Sequence, residues 1–443
     1  SKFQIVLRSA HAQYQYPYSA AVMGGSPTDD SDGERDTDSL FTEFSIPVLD
    51  NLDMQVAARY ESTSDFGDEV VGKFAIGWDA TNTLLIRASA STTFKAPNLV
   101  AMNQAQMNRR NSGQIDYTSG IIKDSSSYNS EWIQRQTEKN ANLQAETSKN
   151  FSVGFVYEPF ANFTIIADAY RIEKDETIGN FGTTNEIALD FLKRWQARGR
   201  TTSTDGTTAF ETAAESVTRC SAQAATNYNA NVLRGEIDAD DYDDMSVLAK
   251  HYGLCPVAGV SVVKSNYLNL ADRTLEGFDL SMYYNLDTDL GSFDFRYRGA
   301  FTSKLEQSAS PGTSAETLIN AINSGVLSDA ITKLSAGDNV GAVVAQGYGS
   351  LEGKDSIFEE KHSLRVSYRK NNISANLTAK HIGDYVQSAI VDSNGIPFTV
   401  DSFTTANLSL AYRFDLGDAR VKATFGVNNI EDKLKPAYLW FLF

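Results

Sequence analysis

The stretch SLFTEFSIPVLDNLDMQVAARYESTSDFG, residues 39–67, shows the pattern that decides the fold. After Asp50 and Asn51, apolar and polar residues alternate from Leu52 to Glu61. A period of two is typical of a β-strand with one apolar and one polar face, and Asp-Asn is typical of a turn. This stretch therefore predicts two antiparallel strands joined by a short turn.

The same alternation recurs along the chain, at residues 84–91, 278–284, 293–298, 373–380, 408–414 and 421–428. Short turns alternate with connections that are mostly much longer, at about 17–35, 61–68, 95–143, 174–269, 306–354 and 384–400. A soluble β-sandwich would also show alternating strands, but it would not alternate short with long connections. That alternation is typical of a transmembrane antiparallel β-barrel with short periplasmic turns and long extracellular loops. We therefore predict an all-β barrel over residues 1–443.

The composition agrees with a barrel and excludes other classes. Hydrophobic residues make up 42% of the chain, the mean hydropathy is -0.31, and no run of about 18 apolar residues occurs, so no membrane-spanning helix is expected. The formal net charge of -17 argues against a nucleic-acid partner, which requires clustered Lys and Arg. The first four residues resemble no signal peptide, so either one was cleaved or the sequence begins within a longer protein.

The alternation assigns side chains to the two faces of the sheet. The residues expected to face lipid include Leu52, Met54, Val56, Phe293, Phe295, Leu377 and Leu408. Those expected to face the lumen include Asp53, Arg59, Arg296 and Asn376, and a lumen this charged implies water or a plug. A count of about 14 strands places Phe443 at the periplasmic end, as expected of the terminal aromatic of a bacterial barrel.

Several segments resemble the TonB-dependent receptors of Gram-negative bacteria. Residues 39–67 are similar to that family's mid-barrel hairpin. LLIRASASTTFKAPNLVAM (84–102) resembles its strand ending in Phe-Arg-Ala-Pro, with Lys95 in place of Arg, and LQAETSKNFSVGFVYEP (143–159) resembles its Leu-x-Pro-Glu-x-Ser segment, with Ala145 in place of Pro. TLEGFDLSMYYNL and FGVNNIEDKLKP complete the series in family order.

The resemblance implies an outer-membrane receptor that imports a polar nutrient such as a glycan, peptide or siderophore. In that family an N-terminal plug and TonB box precede a barrel of 22 strands, and the TonB transducer of the inner membrane supplies the energy. This sequence matches the C-terminal part of such a barrel, about 14 strands without the plug, and a monomeric barrel in lipid without a cofactor is expected. A passive porin and a surface adhesin remain as alternatives.

No enzymatic site is expected. The four histidines, His11, His251, His362 and His381, are scattered without metal-ligand spacing or a neighbouring nucleophile.

Two long connections are the expected location of substrate binding, because turns of a few residues cannot build a pocket. In 95–143, amide, aromatic and basic groups could stack on and hydrogen-bond a solute, although an ordinary solvated loop is the simpler interpretation. The candidates are Asn108, Arg109, Arg110, Tyr128 and Trp132. Short amphipathic helices are predicted at 186–199, 208–219 and 315–334 within the connections.

The connection 174–269 holds two further candidates. Cys220 and Cys255 are expected to form a disulfide in an oxidising periplasm, within a segment that shows no strand character. Asp238, Asp240 and Asp241 are a weak calcium candidate, because alternate carboxylates can chelate this ion. The spacing fails as an EF-hand loop, and acids at the start of a helix are the favoured interpretation.

Overall fold

The computed structural model describes residues 2–16, 26–27, 31–123, 130–199, 211–334, 345, 347–391 and 396–432. The strands are β1 (Lys2–Tyr16), β2 (Ser26–Pro27), β3 (Ser31–Leu49), β4 (Leu52–Thr63), β5 (Gly67–Thr81), β6 (Leu84–Lys95), β7 (Met107–Ile115), β8 (Ser130–Thr137), β9 (Glu146–Phe160), β10 (Phe163–Asn180), β11 (Val232–Arg234), β12 (Val260–Lys264), β13 (Tyr267–Thr288), β14 (Gly291–Ala309), β15 (Gly349–Ser350), β16 (Glu360–Lys370), β17 (Ile373–Ile382), β18 (Tyr385–Val391), β19 (Pro397–Val400), β20 (Phe403–Leu416) and β21 (Ala419–Val427). The helices are α1 (Leu99–Asn103), α2 (Tyr117–Lys123), α3 (Thr183–Gln196), α4 (Ala213–Asn227), α5 (Ala239–Asp243), α6 (Val247–His251), α7 (Ser314–Asn323) and α8 (Val326–Leu334).

One large antiparallel sheet dominates the structure. Its path joins thirteen strands in the order β1-β3-β4-β5-β6-β9-β10-β13-β14-β16-β17-β20-β21, and β15 pairs with β14 beside this path. The predicted fold class is confirmed. The fourteenth strand of the sequence-based count falls at 433–443 and lies outside the described residues, as does Phe443.

The register separates an apolar from a polar face. Val56 lies opposite Phe44 on β3 and Phe74 on β5, and all three side chains are exposed. A second apolar row runs across the other end of the sheet through Phe295, Val366, Leu377, Leu408 and Val427. Exposed apolar rows on a folded sheet are typical of a lipid-facing surface. The expected assignment of Val56, Phe295, Leu377 and Leu408 to one face therefore agrees with the register.

Short hairpin turns join consecutive strands along one edge of the sheet, at 50–51, 82–83, 161–162, 289–290, 371–372 and 417–418. The prediction of a longer connection at 61–68 is wrong. β4 continues to Thr63 and β5 starts at Gly67, which adopts a φ of 100° that favours glycine. The three-residue turn is held by a hydrogen bond from the Ser64 amide to the Asp36 carbonyl.

The strands also extend further than the expected loop boundaries. β3 already begins at Ser31, β10 runs to Asn180 against a β13 that begins at Tyr267, and β14 runs to Ala309. Backbone pairing needs no apolar residues, so strand segments beyond the apolar zone show no alternation that a sequence pattern could detect. The predicted loops 17–35, 174–269 and 306–354 are therefore shorter than expected.

The long connections fold into a compact unit that we call the cap, consisting of α2–α8 with β7, β8, β11 and β12. Its main core is built from the connections 95–143, 174–269 and 306–354. It includes Ile122, Phe191, Leu192, Leu318 and Leu334, each at most 2% exposed. No helix among the described residues is long and apolar enough to cross a membrane. The connection 95–143 is thus partly a folded element with strands, rather than the solvated loop that was the simpler interpretation.

Helix positions in the cap agree in outline with the sequence pattern. The helix predicted at 186–199 corresponds to α3, and the helix predicted at 208–219 overlaps the start of α4. The single helix predicted at 315–334 is divided into α7 and α8, because Gly325 adopts a φ of 76° between them. The connection 384–400 holds a small antiparallel hairpin of β18 and β19.

Candidate substrate-binding region

A five-stranded sheet in the order β11-β12-β8-β7-β2 carries the candidate substrate-binding residues. Asn108, Arg109 and Arg110 lie on β7 and Trp132 lies on the neighbouring β8, where Arg109 pairs with Arg135 in the register. The structure therefore brings these four positions together on one antiparallel pair of strands, β7 and β8, which we call the hairpin although α2 lies between them in the chain. Tyr128 lies outside the described residues.

Most of the side chains that the structure describes on this hairpin are polar, and most of these are exposed or half-buried, whereas Ile133 and Thr137 are buried. Arg109 is exposed, and the half-buried Asn108 accepts a hydrogen bond from Gln106 Nε2 at 3.1 Å. The hairpin is held from beneath by a small apolar cluster of Ile133, Ile187, Val232, Val260 and Val263. The cluster ties three strands of this sheet to α3 and so gives the polar hairpin a rigid base.

A buried ionic network, which the sequence did not reveal, lies in the cap. The guanidinium of Arg234 makes hydrogen bonds of 2.6 and 3.0 Å to Asp116 and one of 3.0 Å from Nε to Asp190, which also accepts from Arg194 at 3.0 Å. Burial disfavours the charged guanidinium, but the two carboxylates outweigh it and raise the pKa of Arg234. The network joins Asp116, the residue before α2, to α3 and β11, and so fixes the base of the candidate hairpin.

Glu186 on α3 is a second buried acid. Its side chain is 2% exposed and accepts hydrogen bonds from Asn229 at 2.6 Å and Asn231 at 3.0 Å. Burial raises the pKa of Glu186, while the two amide donors act in the opposite direction. Glu186 therefore joins α3 to the segment before β11 by polar contacts whose strength depends on pH.

Cys220 on α4 is joined to Cys255 by a disulfide with a Cα–Cα distance of 5.5 Å. The surrounding segment was expected to lack strands, but β11 and β12 lie within it. The two strands pair with each other in an antiparallel arrangement, and β12 runs parallel to β8. They are three and five residues long, too short to show a period of two.

The acidic candidates for calcium lie at the start of α5. The Asp238 carboxylate accepts from the Asp241 amide at 3.0 Å, and the Asp241 carboxylate accepts from the Asp238 amide, which together form a capping box. Asp241 also pairs with Lys123 at 3.0 Å, and Asp240 occupies the first turn. Among the described residues, no group of three His, Cys, Asp or Glu side chains is arranged to hold a metal ion.

Two segments quoted for the family resemblance meet where the cap joins the sheet. Lys95 Nζ lies 3.2 Å from Glu146 Oε1, and the same oxygen accepts from the Ile178 amide at 3.0 Å. Nearby, Arg35 pairs with both oxygens of Asp65 and donates to the carbonyl of Pro97 at 2.8 Å. These contacts hold the ends of β6, β9 and β10 in place under the cap.

Comparison with known proteins gives the family. The sequence model of one protein family, described as TonB dependent receptor-like, beta-barrel, matches residues 5–430. No curated protein matches the sequence at a significant level. Among solved structures, the siderophore receptor PirA from Acinetobacter baumannii is 13% identical with a TM-score of 0.53, and the match covers 97% of this chain and 48% of that one.

A mutant of the ferric enterobactin receptor PfeA from Pseudomonas aeruginosa, in complex with enterobactin, gives a similar result. It is 13% identical with a TM-score of 0.53, and the match covers 97% of this chain and 46% of that one. At this identity the likeness shows the fold alone, and the chain spans about half the length of these structures. Because the family model covers nearly the whole sequence and the strand order agrees with it, the chain belongs to the TonB-dependent receptor β-barrel family.

Proposed function

We propose that this chain forms part of an outer-membrane receptor that actively imports a polar nutrient with energy from the TonB transducer. The observation that carries the proposal is the match of residues 5–430 to the barrel of that family. The exposed apolar rows, including Phe44, Val56 and Phe74, support a position in lipid. In this orientation the short turns lie in the periplasm and the cap lies outside the cell. The role is that of a receptor and transporter, not an enzyme.

The substrate is proposed to bind to the cap at Asn108, Arg109, Arg110, Tyr128 and Trp132. Arg109 is exposed on a strand with a packed base, so its guanidinium can meet a solute without rearrangement of the fold. Guanidinium groups bind carboxylates and other oxyanions in a bidentate manner. The exposed Arg109 therefore favours an anionic siderophore complex, with glycans and peptides as the other polar classes. Siderophore receptors among the matched structures support the same choice.

The test is uptake of radiolabelled ferric siderophores, oligosaccharides and peptides by cells that express the full-length receptor, with and without TonB. We expect one class to enter only when TonB is present. The joint variant Arg109→Gln, Arg110→Gln and Trp132→Ala should bind and import that solute at least about tenfold less well. Lys333→Gln on α8 is the matched control, because it also removes an exposed cap cation.

Each contrary outcome has a definite meaning. Uptake that is equal without TonB would replace active import by passive diffusion through a porin. Binding of a protein partner without entry of any solute would support an adhesin instead. Unchanged uptake in a folded joint variant would remove the hairpin from the binding site but leave the proposed transport intact.

A further inference from the structure

We propose that a groove on the apolar face of β6, β9, β10 and β13 holds one phospholipid of the periplasmic leaflet, with an acyl chain lying along β10. The inference rests on the proposed function in one respect, namely that this face lies in the outer membrane. The groove is separate from the β7–β8 hairpin and lies on the face of the sheet opposite the lumen.

Small side chains form the floor of the groove and larger ones form its walls. The floor is Ala167 and Ala169 on β10. In the register Phe155 and Val153 on β9 lie opposite these two alanines on one side, and Phe278 on β13 lies opposite Ala169 on the other. The groove has a volume of about 750 Å³, which is within the range of sites that hold small ligands.

The walls are held open by contacts of their own. Phe278 stacks on Phe301 of β14, with ring centroids 4.3 Å apart and ring planes 12° apart. This stacking orients Phe278 toward β14 rather than over the alanines of β10. Across the groove, Ile86 and Val153 are 36% and 56% exposed. The groove is therefore a feature of the folded surface that an apolar chain can enter without rearrangement of the sheet.

The groove stays accessible whatever fills the lumen. Each of its four strands pairs with a neighbour on both sides, so no further strand can be added beside it. The one charged residue that lines it, Asp168, directs its carboxylate to Arg87 on the polar face, with Arg87 Nε 2.9 Å from Asp168 Oδ1. A plug inside the barrel would contact that polar face and would leave the apolar groove open to lipid.

The length of the groove matches one leaflet of the membrane. It begins at Leu84, beside the turn 82–83, and ends at Ala169. Leu84 lies in one row with Tyr157 and Ile165, and the distance along β10 from Ile165 to Ala169 is about 13 Å. A strand tilt of about 40° converts this length to a depth of about 10 Å, close to half of an apolar band about 25 Å tall. Because the short turns lie in the periplasm in the proposed orientation, this half is the periplasmic leaflet, which consists of phospholipids.

The groups at the mouth of the groove suit a zwitterionic head group. Thr81 and Thr83 line the groove beside the turn, and their hydroxyl oxygens lie 3.2 Å apart. One hydroxyl can donate to the other, which leaves one donor for an ester or phosphate oxygen of a lipid. Among the described residues that line the groove there is no Lys or Arg, so an anionic head group would gain no ion pair. Phosphatidylethanolamine is therefore favoured over cardiolipin.

Packing, rather than the hydrophobic effect, would hold the chain in the groove. The bilayer is as apolar as the groove, so transfer of an acyl chain between them gives no hydrophobic gain. A chain in the groove contacts a floor and two walls, whereas a chain on a flat surface contacts one side only, and many small dispersion contacts add together. The preference for lipid is thus set by the shape of the groove, and filling the groove should abolish it.

The test is native mass spectrometry of the delipidated full-length receptor in detergent, titrated with dioleoyl phosphatidylethanolamine. We expect one lipid to bind before further, weaker ones do. The double variant Ala167→Phe and Ala169→Phe fills the groove and should bind this lipid at least about fivefold more weakly. Phe278→Ala removes a wall without adding bulk and should also weaken binding, which keeps the test valid if the double variant fails to fold.

The double variant Ala375→Phe and Ala379→Phe on β17 is the matched control, because both alanines share the face of Leu377 but do not line the groove. The proposal is overturned if the wild type binds no phosphatidylethanolamine, or if the control weakens binding as much as the groove variant does. Unchanged binding in a folded groove variant also overturns it and would leave the groove to a membrane-protein partner. Tighter binding of lipid A than of phosphatidylethanolamine overturns it too, by assigning the groove to a lipid of the other leaflet. TonB-dependent uptake by a receptor that binds no lipid would reject the groove alone, whereas lipid binding with TonB-independent uptake would reject only the proposed transport.

Discussion

Arg87 on β6 and Asp168 on β10 form an ion pair across β9, with Arg87 Nε 2.9 Å from Asp168 Oδ1. The residue between them in the register is Gly154. A Cβ atom at Gly154 would lie 2.1 Å from Asp168 Oδ1 and 2.5 Å from the Ala167 carbonyl oxygen. The ion pair can cross the intervening strand only because that strand has no side chain at this point.

Gly154→Ala should therefore break the Arg87–Asp168 pair and destabilise the barrel by about 1–3 kcal/mol, as expected when a well-packed site is overfilled. The measurement is thermal unfolding in detergent, followed by the shift of the heat-modified band on a gel. Gly77→Ala is the control on the same face, because its Cβ would meet only Leu85 Cδ1 at 3.7 Å. Equal stability of the two variants would contradict the role of Gly154.

The assignment of faces predicts opposite effects at two adjacent residues. Val56→Arg places a charge on the apolar face and should cost about 2–4 kcal/mol. Gln55→Arg should be tolerated, because Gln55 already donates to Glu43 on the polar face and an arginine could pair with that carboxylate. Spin labels at the two positions provide the second measurement. If a lipid-soluble paramagnetic relaxing agent reached the label at residue 55 more readily than the label at residue 56, the register would be refuted.

The buried network predicts a large effect of Arg234→Met. The substitution leaves Asp116 and Asp190 in a site where their side chains are 7% and 1% exposed. Removal of one partner from a buried ionic network costs about 3–5 kcal/mol. We expect faster hydrogen exchange in α2 and α3, whereas Lys333→Met, which breaks an exposed pair with Asp329, should cost at most about 0.5 kcal/mol. Unchanged exchange in α3 would show that the network does not hold the cap together.

Glu186 predicts a pH dependence of cap stability. Since burial raises its pKa in the folded state, the folded cap binds this proton more tightly than the unfolded chain does. The contribution of Glu186 to stability is therefore fully present below its ordinary value of 4.5 and is lost as pH rises through the raised pKa. Hydrogen exchange of α3 should show this decline in the wild type relative to Glu186→Gln, and parallel pH profiles for the two proteins would contradict it.

The disulfide predicts a loss of cap stability in the double variant Cys220→Ala and Cys255→Ala. The bond closes a loop with a sequence separation of 35, worth about 3–4 kcal/mol in the chain-entropy model. We expect earlier unfolding of α4 by hydrogen exchange while the barrel transition stays unchanged. Thiol titration of the denatured, unreduced wild type should find no free thiol, and any reactive thiol would count against the bond.

Local patterns predicted much of the sheet, because the strands with apolar–polar alternation show their lipid-facing residues in their own sequence. Val56 and Leu377 were assigned to a face from their neighbours alone. The cap could not be predicted in this way. Its Arg234 lies 44 residues from Asp190 and 118 from Asp116, so no sequence spacing brings the three together. The strands β7 and β8 were missed because amide and basic residues fill them, whereas the capping role of Asp238 follows from its place before a helix.

The cap core also imposes an order on assembly. It joins Ile121 to Leu334, and the strands β9, β10, β13 and β14 lie between these residues in the chain. Contacts so distant in sequence form slowly, because the intervening loops must close first. A slip of two residues between β10 and β13 would displace α3 from α7 by about 7 Å and leave apolar side chains exposed. Burial of the cap core can therefore be completed only when the strands below it have paired in the correct register, and a mispaired barrel would keep an open cap that a protease can cleave.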